Sequence, residues 1–165
     1  MWWFNPRKLV VPLLLLLLAG CGFHPLHATD GKRSPTVPEL ASVKVLSIAD
    51  RSGQLVRNAL LDRLTPKGEP EKPRYILKVT LNEGRQGLGI LKDETASRAN
   101  YLLSAGFVLY EAKGRVVYSG SANSQASFNI LDEHYASTSS EKNARDRTAV
   151  EVAEAIHVQL SAYFS

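Results

Sequence analysis

Apolar and polar residues along the chain fall into periods that define a succession of elements. Ser42 to Ala49 (SVKVLSIA) is rich in β-branched residues and predicts a first strand. Asp50-Arg51-Ser52-Gly53 predicts a turn in which Asp50 or Ser52 caps a helix. From about Gln54 to Leu64, Val56, Leu60 and Leu64 recur every four residues with Ala59 alongside. Arg57, Asp62 and Arg63 lie off that stripe, as on an amphipathic helix. Pro66, Pro70 and Pro73 end the helix and enforce a loop. From about Arg74 to Glu83, Tyr75, Leu77, Val79 and Leu81 alternate with Lys78, Thr80 and Asn82, the period of a strand with one buried face. Gly84 to Lys92 is glycine-rich and predicts a flexible connection; it lacks the Gly-Lys-Ser/Thr ending of a phosphate loop.

Two long strands are predicted next. The third runs from about Ala96 to Glu111, with Tyr101, Leu103, Ala105, Phe107 and Leu109 on one face, and Lys113-Gly114 supplies a hairpin turn. The fourth runs from about Arg115 to Asn129. Val116, Tyr118, Ala122, Ala126 and Phe128 point one way; Ser119, Ser121, Asn123, Gln125 and Ser127 point the other. A strand of that length would reach roughly 50 Å, so either a bulge breaks the third strand or the hairpin projects beyond the helices. After a polar loop, Asp132 to Ser140, either Ser139 or Ser140 is expected to cap a closing helix from about Glu141 to Tyr163. Ala149, Ala153, Ile156, Leu160 and Phe164 form its stripe, and His157 beside them reads as structural. The order β-α-β-β-β-α predicts an α+β two-layer sandwich, a four-stranded mixed sheet with two helices packed on one face.

The N-terminus has a different pattern. Arg7 and Lys8 precede an apolar run from Leu9 to Leu18, about 15 Å long as a helix against roughly 30 Å of bilayer hydrocarbon. That length fits the core of a cleavable signal, residues 1–20. Leu18-Ala19-Gly20-Cys21 then looks like the bacterial lipobox, in which the small residues enter a peptidase groove and the cysteine takes lipid. Cys21 is the only cysteine, so no internal disulfide forms and S-diacylglycerol plus an N-acyl chain is the one covalent group expected. Several acyl chains anchor firmly where one does so only marginally. By resemblance to lipoprotein sorting signals, Gly22 rather than Asp after Cys21 implies the outer membrane. Residues 21–40 read as lipid anchor and tether, because Pro25, Gly31, Pro35 and Pro38 oppose regular structure. Residues 41–165 form the domain.

Composition narrows the function classes. Hydrophobic residues at 44% suffice for a core. Removal of Arg7 and Lys8 takes the formal charge from +4 to +2, with 18 basic residues against 16 acidic, which does not fit a nucleic-acid binder. His24 and His27 lack supporting ligands and read as solvated, so no metal is expected. There is no Gly-x-Ser-x-Gly or His-Glu-x-x-His, and Asp132-Glu133-His134 has no partner motif. An enzyme is therefore not expected.

The run Cys21-Gly22-Phe23-His24-Pro25-Leu26, the Gln54-Leu55-Val56-Arg57-Asn58-Ala59-Leu60 helix start, the long hairpin and the closing helix occur in an order that resembles the LPS-assembly lipoprotein LptE family. The resemblance covers essentially the whole mature chain. It implies a non-catalytic lipoprotein on the periplasmic face of the outer membrane, plugging the β-barrel of an LptD-type partner and handling LPS. A plug needs a polar exterior, and Ser119, Ser121, Asn123, Gln125 and Ser127 are the candidate barrel contacts. LPS phosphates call for cations, and Lys92, Arg98, Lys113 and Arg115 are candidates by location and charge. The alternative is an auxiliary lipoprotein of an ABC-type lipid transport system.

Overall fold

The alternating apolar stretches do form strands. A computed structural model describes residues 36–88, 98–130 and 133–165. The predicted signal, Cys21, the tether as far as residue 35, and Lys92 lie outside them. The order is α1 (Thr36–Leu40), β1 (Val43–Val45), α2 (Asp50–Leu64), β2 (Tyr75–Gly87), β3 (Arg98–Glu111), β4 (Val116–Asn129) and α3 (His134–Tyr163). The sheet order is β1-β2-β3-β4, with β1 parallel to β2 and the other pairs antiparallel. The mixed four-stranded sheet with two long helices on one face is the expected α+β architecture. The five-residue α1 is an addition, formed from the last residues of the stretch expected to be irregular.

Burial follows the predicted stripes. Val56, Ala59, Leu60 and Leu64 of α2 and Ala149, Ala153, Ile156 and Leu160 of α3 are buried against Leu77, Tyr101, Leu103, Phe107 and Leu109 of the sheet. α3 packs chiefly over β4, and buried alanines on both, Ala144, Ala149 and Ala153 of α3 and Ala122 and Ala126 of β4, suit a close approach of helix and strand. Every second residue of β3 from Ala99 to Leu109 is buried, so the long strand is covered along its length. Thirty residues of α3 at 1.5 Å each reach about 45 Å, matching fourteen strand residues at 3.3 Å.

Several element ends depart from expectation. β1 ends at Val45 rather than Ala49; Leu46 N–H still donates to the Leu77 carbonyl before the chain turns into α2. α2 starts at Asp50, which adopts the left-handed conformation with φ 66°. Ala49 holds the capping position with no side-chain cap, so neither Asp50 nor Ser52 caps. Gly84–Gly87, expected in a loop, continue β2 because they pair with Leu102–Ala99 of β3. α3 begins at His134, seven residues earlier than expected, so Ser139 and Ser140 lie within it and cap nothing. The irregularity lies near the hairpin turn. Leu109 pairs with Tyr118 and Tyr110 with Val116, leaving Val117 as an extra residue in β4. One inserted residue reverses the facing of what precedes it, so Val116, expected inside, is 55% exposed.

The start of α2 is held by two contacts. Gly53 has no room for a side chain, since a Cβ there would lie 2.8 Å from the Ile48 carbonyl carbon and 2.9 Å from its oxygen. Ser52, 3% exposed, shares its hydroxyl with the Glu83 carboxylate at 2.7 Å and the Tyr101 phenol at 3.0 Å. Tyr101 also donates to Glu83, and Arg145 of α3 lies 5.4 Å over the Tyr101 ring. The hydrogen bonds from Tyr101 and then Ser52 hold the Glu83 carboxyl below its ordinary value, while burial and then Glu83 raise the Tyr101 phenol.

Two predictions follow from this end of the molecule. Alanine in a helix ordinarily gains about 1 kcal/mol over glycine. Gly53→Ala should instead lose about 1–3 kcal/mol in urea unfolding, because backbone must move; unchanged or higher stability would overturn the close approach. A carboxyl whose folded pKa is depressed contributes stability above its unfolded value, and that contribution is lost as the pH falls through the folded pKa. Glu83→Gln should therefore be destabilising near neutrality, with the gap from wild type closing as the pH drops below the ordinary carboxylate value of 4.5. A gap independent of pH would show that Glu83 is not held as an anion.

Candidate functional site: the open sheet face and the free edge of β4

With both long helices on one side, the other face of β2, β3 and β4 is open. β4 places Ser119, Ser121, Asn123, Gln125 and Ser127 on it, all five exposed, as the alternation predicted. β2 and β3 contribute equally, although they were not singled out from the sequence. Cross-strand rows read Lys78–Val108–Ser119, Thr80–Gly106–Ser121 and Asn82–Ser104–Asn123. A shallow depression lies over the first two rows, lined by Lys78, Thr80, Gly106, Tyr110, Ser119 and Ser121 among others. Farther along, Ser127 donates to the Asn100 side chain at 2.7 Å. The face is largely hydroxyl and amide, with little charge to desolvate, and it hydrogen-bonds to whatever polar surface meets it.

The backbone of the same β4 residues forms the free edge of the sheet. Ala112 N–H donates to Arg74 O and Leu88 N–H to Arg98 O, so even-numbered residues of β3 bond to β2. Its odd-numbered residues therefore bond to β4, where their partners from Phe107↔Gly120 to Ala99↔Phe128 are even-numbered. Ser119, Ser121, Asn123, Gln125 and Ser127 thus turn their N–H and C=O groups outward. Two of these carbonyls are taken by α3: Gln159 Nε2 donates to Ser121 O at 2.9 Å and Arg147 Nη2 to Ser127 O at 3.2 Å. Ser124 donates to Glu151 of the same helix.

The structure does not gather the basic candidates into one cluster. Arg98 opens β3 and pairs with Asn129 at one end of the sheet, while Lys113 and Arg115 lie in the hairpin turn at the other, about 40 Å away. Arg115 is bonded to Glu111 at 2.7 Å, which lowers the Glu111 carboxyl and raises the guanidinium. Sequence reasoning also missed a cluster beside Arg98's end. There Glu141 joins Arg85 at 3.0 Å and Arg145 at 3.4 Å, and Arg85 lies 5.6 Å over the Phe128 ring. Glu141 and Arg145 are an i,i+4 pair on α3, but Arg85 of β2 and Phe128 of β4 join them from distant parts of the chain, which no local pattern marks.

Known structures share this architecture. A protein of Caulobacter crescentus described as a lipoprotein without an established role superposes with a TM-score of 0.67 at 25% identity, over 78% of this chain and 95% of that one. A minor lipoprotein of Acinetobacter baumannii does so at 0.61 and 18%, over 74% and 92%. Rare lipoprotein B of Shewanella oneidensis does so at 0.57 and 10%, over 73% and 94%. No protein-family model matches the chain, and no curated protein matches it. The chain has the fold of these bacterial lipoproteins, rare lipoprotein B among them.

Proposed function

We propose that this chain is an outer-membrane lipoprotein of the LptE kind, lipidated on Cys21 and seated in an LptD-type β-barrel, where it takes part in LPS transport to the outer leaflet without catalysis. The observation that carries the reading is the five-residue polar face of β4, joined by Thr80, Asn82 and Ser104 into an open sheet surface of hydroxyls and amides. Such a surface loses little when it exchanges bulk water for the wet, polar lumen of a barrel. The LptE-like fold and the lipobox ending at Cys21 support the same reading. In it, Lys92, Arg98, Lys113 and Arg115 meet LPS phosphates, those at the two ends of the sheet engaging different groups because of their separation.

The tests are direct. Affinity purification of the chain from bacterial membranes should bring down a large outer-membrane barrel that resists mild detergent. An inner-membrane transport complex in its place would favour an auxiliary lipoprotein of ABC-type lipid transport. Cys21→Ala should leave the unlipidated precursor, and a lipidated product of that variant in mass spectrometry would refute the anchor. Arg98→Glu and Arg115→Glu should each weaken LPS retention several-fold, with effects that add because the sites are far apart. LPS retention unchanged in both would remove these residues from the reading.

A further inference from the structure

β4 would ordinarily be a hazard. It is an edge strand of fourteen residues (VVYSGSANSQASFN) without a charge or a proline, the devices that usually blunt such edges. Its bulge lies at the hairpin turn and leaves the stretch from Ser119 to Asn129 regular. Over that stretch the outward carbonyls of Ser121 and Ser127 are covered, each by a side chain reaching over from α3.

The Gln159 contact depends on a missing side chain. A Cβ at position 120 would lie 2.6 Å from Gln159 Oε1 and 2.6 Å from Phe107 Cζ. Gly120 thus leaves the space through which the Gln159 amide crosses the strand to its outer edge. The gap also admits the Phe107 ring, so core packing and edge covering use the same vacancy.

We infer that Gln159 and Arg147 guard the free edge of β4, and that without them the chain pairs through β4 with a second copy of itself. The second copy is the occupant because β4 suits pairing with itself about a two-fold axis. Antiparallel pairing of two uncharged strands about the Asn123–Gln125 region sets no like charges opposite one another, and serine, asparagine and glutamine side chains can bond across the pair. A two-fold axis closes the contact as a dimer. The two guards take acceptors that such a ladder would need. The inference does not depend on the proposed barrel or on LPS, since it concerns this chain alone.

The test uses the chain purified from bacterial membranes and freed of any co-purifying protein, as mass spectrometry checks, before transfer to mild detergent. Gln159→Met with Arg147→Met keeps unbranched side chains on α3 while removing both donors. Sedimentation should show self-association at least tenfold tighter than in the wild type, and hydrogen exchange should slow at the amides of Ser121, Asn123, Gln125 and Ser127 as association proceeds. Adding Asn123→Lys, which places like charges near the two-fold axis, should restore the wild-type state. If the double variant fails to fold, each single variant should show the same change in smaller degree. A folded variant that associates no more than wild type, or that associates with unchanged exchange in β4, overturns the proposal.

Discussion

A strand as long as β3 can be buried on one face only by something equally long. The apolar residues from Ala99 to Leu109 occupy every second position, so the whole row must leave water together or the strand gains little from that face. α3 meets this requirement with thirty continuous residues, and its small side chains allow it to lie close along β4 while Ile156 and Leu160 reach the core. The position of α2, the open face opposite and the reach of side chains to the strand edge all depend on that match of lengths.

Residues with a strict period were legible as elements. The four-residue recurrence of Val56, Leu60 and Leu64 and the alternation from Tyr75 to Leu81 were read correctly because each reports a single buried face. Positions where local preference yields to distant partners were not. Gly84–Gly87 look like a loop in isolation, yet the ladder to β3 carries them as strand. Ser139 and Ser140 look like caps, but α3 continues through them to His134. Ser52 resembles a cap for the same reason, and its hydroxyl instead serves Glu83 and Tyr101, residues 31 and 49 positions away. The extra residue at Val117 has no signature either, because a bulge is defined by what stands opposite.

The candidate site divides along the same line. Which β4 side chains face outward followed from alternation alone, and all five polar ones do. That their backbone groups form a free edge could not be read, since edge status depends on the order of strands in the sheet. The contribution of Thr80, Asn82 and Ser104 likewise becomes a surface only when register sets them beside Ser121 and Asn123. Charge was the least informative guide. Of the cations chosen by location and charge, Arg98 stands at one end of the sheet and Lys113 and Arg115 at the other.

The shortest strand has a mechanical meaning. β1 joins the sheet through three residues at its margin, and the adjoining chain is held by the Arg74–Glu39 ion pair at 2.6 Å and by Ser42 O, which accepts from Arg74 N–H at 3.1 Å and Tyr75 N–H at 3.4 Å. Tension applied through the residues before α1 would fall first on these few bonds, while the long β2–β3–β4 meander carries none of it. The body therefore has a lightly bonded seam at β1, on the margin of the sheet opposite the free edge of β4.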